Sequence, residues 1–400
     1  MSVRAWWVVV AIGLASPCAA QTRDTSSTSP SDTTAAPALE APAQPVTSTP
    51  PDFPRGRISG QMFGDVYYNV NGDPAHDYTP SGADLGQANI ADGGKPITQD
   101  LNGTQIRRVY FQLDNDFSEK YTSRLRLEVD SRSLTNDGKI SSFVKNAFVQ
   151  AKSVIPRGDF YFGMVNTPIW ENSEEFWAYR AVEKTIADFR GLGSSSDLGV
   201  ELKGFLDGDH RIGYAALVGD GQGQRPENDR YKKLYFSLPV RVGDFRLEPY
   251  ADYQAVRVTF GPPSDSLPVN NDQATYKLFT GYEFHRFALG AEGVIRLNHK
   301  AGGLPNQEQR GLSLFGRGTL SPTLGAFARV DLWTPDTRTP NRVDTRLWIA
   351  GIDWQPFKDV HVMPNVEAMQ YDTKGLAIAP DQADVQARIT LFWKFSKPQS

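Results

Sequence analysis

Three carboxylates, Glu171, Glu174 and Glu175, lie close together in the sequence. Acidic residues at such spacing are candidates for acid–base catalysis. Glycoside hydrolysis uses a separated pair of carboxyl groups, one acting as the acid and the other as nucleophile or base. Clustered acids in a loop are more often simply solvated. The five histidines are scattered without metal-ligand spacing, and the chain has no Gly-x-Ser-x-Gly motif. We therefore predict no catalytic residues, no metal site and no cofactor.

The elements that must position these residues have the pattern of β-strands, from Arg57 to Phe395. Stretches of about ten residues alternate apolar and polar side chains, which is the period of a strand. In a clear example Leu125, Leu127 and Val129 alternate with charged residues. The sixteen predicted strands lie near residues 57–70, 104–115, 120–131, 143–152, 158–166, 197–206, 210–218, 230–240, 245–256, 274–284, 286–298, 309–320, 323–333, 343–354, 359–371 and 384–395.

The connections between these strands alternate between long and short along the whole chain. The long connections include 71–103, 132–142, 167–196, 219–229, 257–273 and 372–383, whereas 207–209, 241–244 and 321–322 are short. A membrane-crossing barrel has this parity, because one end makes tight turns and the other carries long outside loops. A closed barrel also pairs every backbone polar group without leaving an edge. We predict an all-β fold, a 16-stranded antiparallel transmembrane β-barrel over residues 57–395 with short periplasmic turns and long extracellular loops.

The N-terminal region carries targeting signals. Residues 1–20 are predicted to be a signal peptide, with Arg4 as the charged start, an apolar run to Leu14 and a cleavage site of small residues at 18–20. Cys18 is the only cysteine, so disulfides cannot hold the mature fold. The alternative is that Cys18 becomes the lipid-modified first residue of a lipoprotein, although Pro17 fits that motif poorly. Residues 21–54 are rich in Ser, Thr, Pro and Ala and predict a disordered periplasmic segment.

The composition excludes two classes of protein. The chain is 40% hydrophobic and 22% charged with a mean hydropathy of −0.43, and charges interrupt every apolar run after the N-terminus. A polytopic helical membrane protein, which needs about 20 apolar residues per helix, is therefore excluded. Lys and Arg total 42 against 46 Asp and Glu, for a net charge of −4. Without a concentrated basic face, we expect no nucleic-acid partner.

Several segments carry recognisable motifs. They are FYFGMVNTPIW at 160–170, EFWAYRAVEK at 175–184, GLGSSSDLGV at 191–200, RLRLEVDS at 124–131, FVKNAFVQ at 143–150 and LVGDG at 217–221. These segments resemble the phosphate-selective porin O and P family of Gram-negative outer membranes, and the resemblance extends over residues 57–395. It implies a sixteen-stranded barrel that forms a homotrimer and folds its third long loop inward as a constriction. It leaves the transported solute open.

Selectivity must come from the polar strand faces, because sixteen strands leave an aqueous lumen. Guanidinium groups bind phosphate bidentately, and an anion channel would carry them largely unopposed. Arg108, Arg124 and Arg126 form the best candidate basic stripe, but acidic residues share the same faces, so the alternative is a network of ion pairs that only stiffens the wall. The candidate pore-lining residues are Arg108, Arg124, Arg126, Arg246, Arg317, Arg329 and Arg388.

The long connection 167–196 contains too many large aromatic residues for a solvated loop. Folding into the lumen would cover them, and an aromatic surface there could guide sugar rings. The alternative is that the loop packs on the barrel rim or against a neighbouring subunit. The candidate constriction residues are Trp170, Glu171, Glu175, Trp177, Tyr179, Arg180 and Lys184.

The function predicted from these patterns is a non-enzymatic outer-membrane porin, through which small hydrophilic solutes, including anions such as phosphate, diffuse passively. Its expected partners are outer-membrane lipid, two further copies in a homotrimer, and the outer-membrane assembly machinery, which would recognise the aromatic last strand. We expect an integral protein of the Gram-negative outer membrane after signal-peptide cleavage. The alternatives are a secreted or surface all-β carbohydrate-binding protein or hydrolase, and a closed barrel that serves as a structural or adhesive surface protein.

Overall fold

The computed structural model describes residues 53–72, 97–135, 137–260, 267–300, 305–376 and 383–398. The predicted signal peptide and residues 21–52 of the predicted disordered segment lie outside the described residues. The strands are β1 (Arg55–Asn71), β2 (Asn102–Asp116), β3 (Tyr121–Leu134), β4 (Ile140–Ile155), β5 (Gly158–Asn166), β6 (Ser196–Phe205), β7 (Gly213–Gly219), β8 (Lys233–Ser237), β9 (Val240–Val242), β10 (Phe245–Gln254), β11 (Arg257–Phe260), β12 (Leu267–Asn270), β13 (Gln273–Phe284), β14 (Phe287–Asn298), β15 (Gln307–Ser321), β16 (Leu324–Thr334), β17 (Arg342–Phe357), β18 (Val360–Lys374) and β19 (Asp384–Pro398). Two short helices, α1 (Glu171–Trp177) and α2 (Ile186–Phe189), lie between β5 and β6.

The strands form one closed antiparallel barrel. Successive strands pair with each other, and β1 pairs with both β2 and β19, which removes the free edge. Strands β8 and β9 both pair with β10 and form a single spanning strand, interrupted at Pro239, which has no backbone N–H to donate. The hairpin β11–β12 is separate from the barrel sheet. The barrel therefore has sixteen spanning strands, and the predicted strand count and fold class are confirmed.

Short and long connections lie at opposite ends of the barrel. One end has tight turns such as 156–157, 243–244, 285–286 and 358–359, and the other has longer connections such as 167–195 and 220–232. The connection 135–139 is shorter than the predicted 132–142, because β3 and β4 continue into it as strand. The described part of the chain contains no helix long and apolar enough to span a membrane.

The two faces of the barrel are inverted relative to a soluble protein. Large apolar side chains such as Phe162 (63% exposed) and Leu289 (59%) point outward, whereas Glu128, Asp331 and Gln386 point inward and are 0% exposed. Outward apolar and inward polar side chains alternate along each strand, as in barrels that are surrounded by lipid.

Two β-bulges change which side chains face inward. The β1–β2 register skips Arg107, and the β3–β4 register skips Lys145. A bulge adds one residue to a strand and turns its side chain. Arg107 and Arg108, and likewise Lys145 and Asn146, therefore all point into the lumen, although each pair is adjacent in sequence.

Candidate pore constriction

Residues 167–195, which we call the lumenal loop, connect β5 to β6 and lie against the inward faces of other strands. Helix α1 ends at Trp177. The next residue, Ala178, has a left-handed backbone (φ of 64°), and its N–H donates to the carbonyl of Glu174 at 3.0 Å. The loop's large apolar side chains are buried to 1% exposure or less at Ile169, Phe176, Trp177, Val182 and Ile186.

Aromatic contacts hold α1 against β13, β15 and β16. The ring of Phe176 meets that of Phe279 edge-on at 5.5 Å, and the ring of Trp177 meets those of Phe315 at 5.4 Å and Phe327 at 6.0 Å. Such pairs contribute about 0.5–1.5 kcal/mol each beyond their buried area. The suggestion that these loop aromatics form a surface for sugar rings is therefore wrong for Phe176 and Trp177, because the barrel wall covers them.

An inward glycine makes room for this packing. A Cβ at Gly281 would lie 2.7 Å from Cε2 of Phe176, closer than real Cβ contacts. Tyr179 continues the stack, with its ring 4.2 Å from that of Phe327. The inward face of β13 and β16 is thus complementary in shape to the side chains of the lumenal loop.

Five wall arginines donate hydrogen bonds to backbone carbonyl groups of the lumenal loop. The contacts are Arg107 to Ala181 (3.2 Å) and Val182, Arg388 to Val182 (3.1 Å), Arg317 to Phe176 (3.1 Å), Arg329 to Lys184, and Arg296 to Gly191 (3.4 Å) and Leu192. Charge-assisted bonds of this kind are stronger than neutral ones. Because the arginines come from β2, β14, β15, β16 and β19, the loop is fixed around much of the circumference.

A buried ion pair adds to these contacts at the turn between the two helices. Glu183 is 0% exposed, and its carboxylate lies 2.9 Å from the guanidinium of Arg107. Burial by itself would raise the pKa of Glu183, but the positive charges of Arg107 and Arg388 outweigh it and hold the pKa well below its usual range. The carboxylate therefore stays ionised across the physiological pH range, and its ion pair with Arg107 persists.

Most of the predicted pore-lining arginines have an acidic partner. The pairs are Arg108 with Glu128 and Asp130 (3.2 Å), Arg124 with Asp114 (2.7 Å), Arg246 with Glu175 (3.0 Å), Arg317 with Glu283 (2.6 Å), Arg329 with Asp331, and Arg388 with Glu367. Arg126 differs: its Nε donates to Oε1 of Gln112 at 2.6 Å, and its guanidinium lies 5.6 Å from the centre of the Tyr110 ring. Within the described ranges, no carboxylate lies at ion-pair distance from Arg126.

The three clustered carboxylates pair with different cations. Glu171 pairs with Lys203, Glu174 with Arg180 at 2.8 Å, and Glu175 with Arg241 and Arg246. Each acid is therefore held in an ion pair of its own. Among the residues that the structure describes, no group of three or more His, Cys, Asp or Glu side chains could hold a metal ion.

The remaining constriction candidates are Trp170, which packs against a buried apolar cluster, and Lys184. Trp170 donates from Nε1 to the carbonyl of Ser195 at 3.1 Å, and Lys184 lies 3.8 Å from Asp188. Burial raises the pKa of Glu174 to about 7, against the opposing charges of Arg180, Lys145 and Arg108. Since Arg108 and Lys145 belong to β2 and β4, this charged side of the loop faces that part of the wall.

Glu174 should make ion selectivity depend on pH. Its pKa is raised, so the carboxyl is mostly neutral at pH 6 and becomes ionised as the pH rises to 8. At roughly 7–10 Å through water, the added negative charge raises the energy of Cl⁻ and lowers that of K⁺ by about 0.4–0.6 kcal/mol each, so the Cl⁻ to K⁺ permeability ratio should fall by roughly three- to fivefold between these pH values. Reversal potentials in a KCl gradient measure this change. Glu174→Gln should remove it, and a Glu174→Gln channel with an unchanged pH response would contradict the assignment.

Sequence reasoning missed Arg107, Lys145 and Arg296 as contacts of the loop. The first two had a readable signal, because two consecutive polar residues, as at Arg107-Arg108 and Lys145-Asn146, interrupt the period-2 alternation and mark a bulge. The contacts of Arg296 had no sequence signal, because the acceptors are backbone carbonyls more than 100 positions away in sequence.

No family model matches the chain, and neither does any curated protein. Solved structures do match. OmpT of Vibrio cholerae in its trimer form has 13% identity and a TM-score of 0.57 over 86% of this chain and all of that chain. The anion-selective porin from Comamonas acidovorans has 12% identity and a TM-score of 0.57, with 85% and 99% covered. The outer membrane channel DcaP of Acinetobacter baumannii has 13% identity and a TM-score of 0.57, with 86% and 97% covered.

The chain has the fold of these outer-membrane barrels. At such low identity the similarity establishes the fold alone, and the anion selectivity is a property of the Comamonas protein. The resemblance to the phosphate-selective porin O and P family stays a prediction.

Proposed function

We propose that this protein is an outer-membrane porin through which small hydrophilic solutes diffuse passively beside the lumenal loop. The observation that carries the proposal is the loop itself, which is fixed inside a sixteen-stranded barrel by side chains of the inner wall. A barrel of this size would otherwise enclose a wide aqueous channel. A loop fixed across it narrows the channel without closing the barrel's ends.

We place the passage along β3 and the Gln150 end of β4, away from Lys145, which contacts Ser195 of the lumenal loop. The inward side chains of Arg124, Arg126 and Gln150 contact neighbouring strands, and none of their described hydrogen bonds is with the lumenal loop. The opposite wall, from β13 to β19, is instead covered by the loop. Solutes would therefore pass between the charged side of the loop and the wall that holds Arg126.

The charge pattern supports a weak preference for anions. Most wall cations are neutralised by a carboxylate, whereas Arg126 is not. One uncompensated charge can bias the passage of ions, but it cannot exclude cations as a ladder of arginines would. Phosphate is one anion that such a channel would admit.

Arg126→Gln should shift the selectivity toward cations. Removing one unpaired charge about 7 Å from the passing ions in water raises the energy of Cl⁻ and lowers that of K⁺ by about 0.6 kcal/mol each, so the Cl⁻ to K⁺ permeability ratio should fall by roughly sevenfold. The reversal potential of single channels in a KCl gradient measures the ratio. Arg126→Lys retains the charge and should stay close to the unmodified channel; equal shifts in both variants would contradict a charge effect.

We further propose that the chain is exported by its signal peptide, inserted through recognition of its last strand, and assembled as a homotrimer. Strand β19 presents Trp393 and Phe395 on its outward face. The trimer form of the Vibrio cholerae structure supports the assembly only by analogy of fold. Analytical ultracentrifugation of the detergent-solubilised protein tests it.

The experiment that tests the channel itself is planar-bilayer recording of the purified protein. We expect discrete conductance steps with a small anion preference. The absence of steps from barrels whose folding is verified by circular dichroism would overturn the porin assignment and favour the structural or adhesive alternative.

A further inference from the structure

The outward face of β13 to β18 carries a shallow apolar groove. Its floor is a row of directly paired small residues on adjacent strands, Gly316, Ala328 and Ala350. Its walls include Leu289, Leu314 and Trp348, and the depression holds about 820 Å³. We call this feature the outer groove. A second apolar depression of about 820 Å³ lies farther along the outward face, where Phe236, Leu278 and Leu312 line it.

An exposed arginine lies beside one end of the outer groove. Arg346 is two residues before Trp348 on β17, on the same outward face and toward the end that carries the long connections. Its cross-strand neighbour is Gln370, whose side chain accepts a hydrogen bond from Nε1 of Trp348 at 3.3 Å. Tryptophan on a lipid-facing surface marks the boundary between hydrocarbon and headgroups. Arg346 therefore lies at headgroup level.

The charge of Arg346 is not compensated by the protein. Within the described residues it has no ion pair and no side-chain hydrogen bond. The neighbouring cations differ: Arg310 donates to Glu308 at 2.6 Å, and Lys374 lies 2.8 Å from Asp344. An apolar groove that ends at an uncompensated guanidinium is complementary to a molecule with an acyl chain and an anionic head.

We propose that the outer groove and Arg346 bind a phosphate-bearing lipid of the outer leaflet, with an acyl chain in the groove and a phosphate on the guanidinium. Guanidinium groups pair with phosphate through two parallel hydrogen bonds. Basic side chains at headgroup level select anionic lipids. A second copy of the chain would fit less well, since it would bury Arg346 without a carboxylate, which is costly. The inference rests on the proposed outer-membrane location and not on channel activity.

Native mass spectrometry of the detergent-solubilised protein, titrated with lipid A, tests the proposal. Arg346→Gln should weaken lipid A binding by about fivefold, the effect of one basic residue near a charged headgroup. A dephosphorylated lipid A should bind the unmodified protein and Arg346→Gln equally. Ala350→Leu fills the groove and should weaken the binding of both lipids. Lys139→Gln is the control. Lys139 is an exposed cation far along the chain from the groove, in the connection between β3 and β4, where it pairs with Asp137, so its substitution should leave the affinity for both lipids unchanged.

Two outcomes would overturn the proposal. One is equal lipid A affinity of the unmodified protein and Arg346→Gln. The other is efficient cross-linking between two copies through Ala328→Cys, which would show that a second subunit covers the groove. Bilayer recordings of the same preparations separate this inference from the proposed function. Channels that conduct, together with equal lipid A affinity of the unmodified protein and Arg346→Gln, reject the lipid site alone, whereas protein that never inserts rejects the membrane location.

Discussion

Trp177→Ala should lower the free energy of unfolding by about 3–5 kcal/mol, the range for truncating a buried large aromatic residue. The indole is 1% exposed, packs on Phe315 and Phe327, and donates from Nε1 to the carbonyl of Glu183 at 2.9 Å. The substitution would leave a cavity and an unsatisfied carbonyl at the centre of the loop's contact with the wall. Guanidinium titration in detergent micelles, followed by circular dichroism and by protease cleavage of the loop, measures the loss.

The matched control is Trp393→Ala. Trp393 is 48% exposed on the outward face, so its removal exposes no cavity inside the barrel. Trp393→Ala should lower the free energy of unfolding far less than Trp177→Ala does, and it should leave the lumenal loop resistant to protease. If both substitutions cost the same, the lumenal loop contributes little to the stability of the barrel, and the packing described for α1 would not be what fixes it.

Removing the lumenal loop should give the largest change in conductance. The loop's two ends already meet, since the N–H of Thr167 donates to the carbonyl of Ser195 at 3.3 Å, so a short Gly-Ser linker can replace residues 170–193. The emptied lumen should conduct roughly two- to threefold more current, as expected when a barrel of this strand number loses its internal loop. Single-channel recording in symmetric KCl measures the change.

Residues 225–230 provide the control for loop removal. They belong to the connection between β7 and β8 and have no described contact with the inward faces of β13 to β19. Replacing them with a linker should leave the conductance within about a tenth of its original value, because the narrowest section is unchanged. An unchanged conductance after removal of the lumenal loop would mean that the constriction lies elsewhere.

The barrel could be predicted from the sequence because its two main signals are local. Alternation of side chains defines a strand within a few residues, and β5 begins and ends where the alternation does, at 158 and 166. Turn chemistry places the short connections in the same way. Sixteen repetitions make a pattern that is ambiguous in any one strand decisive for the whole chain.

The interior of the barrel was less predictable. Phe279, Phe315 and Phe327 point inward on strands whose outward residues are apolar too, so alternation could not identify them as the surface that receives the loop. Ion pairs such as Arg124 with Asp114 are predictable as an alternative, because cross-strand neighbours follow from register. The bonds from wall arginines to loop carbonyls depend on how the loop folds, and backbone carbonyls have no sequence signature.

Arg107 and Arg388 both donate hydrogen bonds to the carbonyl of Val182, which constrains the order in which the loop and the barrel fold. Arg107 lies on β2 and Arg388 on β19, and these strands flank β1 at the seam where the two ends of the chain meet. The complete binding site for this part of the loop exists only after β19 has paired with β1. The loop therefore cannot reach its final position while the barrel is open, and its resistance to protease should appear as a late step of refolding, slowed by the entropy of closing so long a chain.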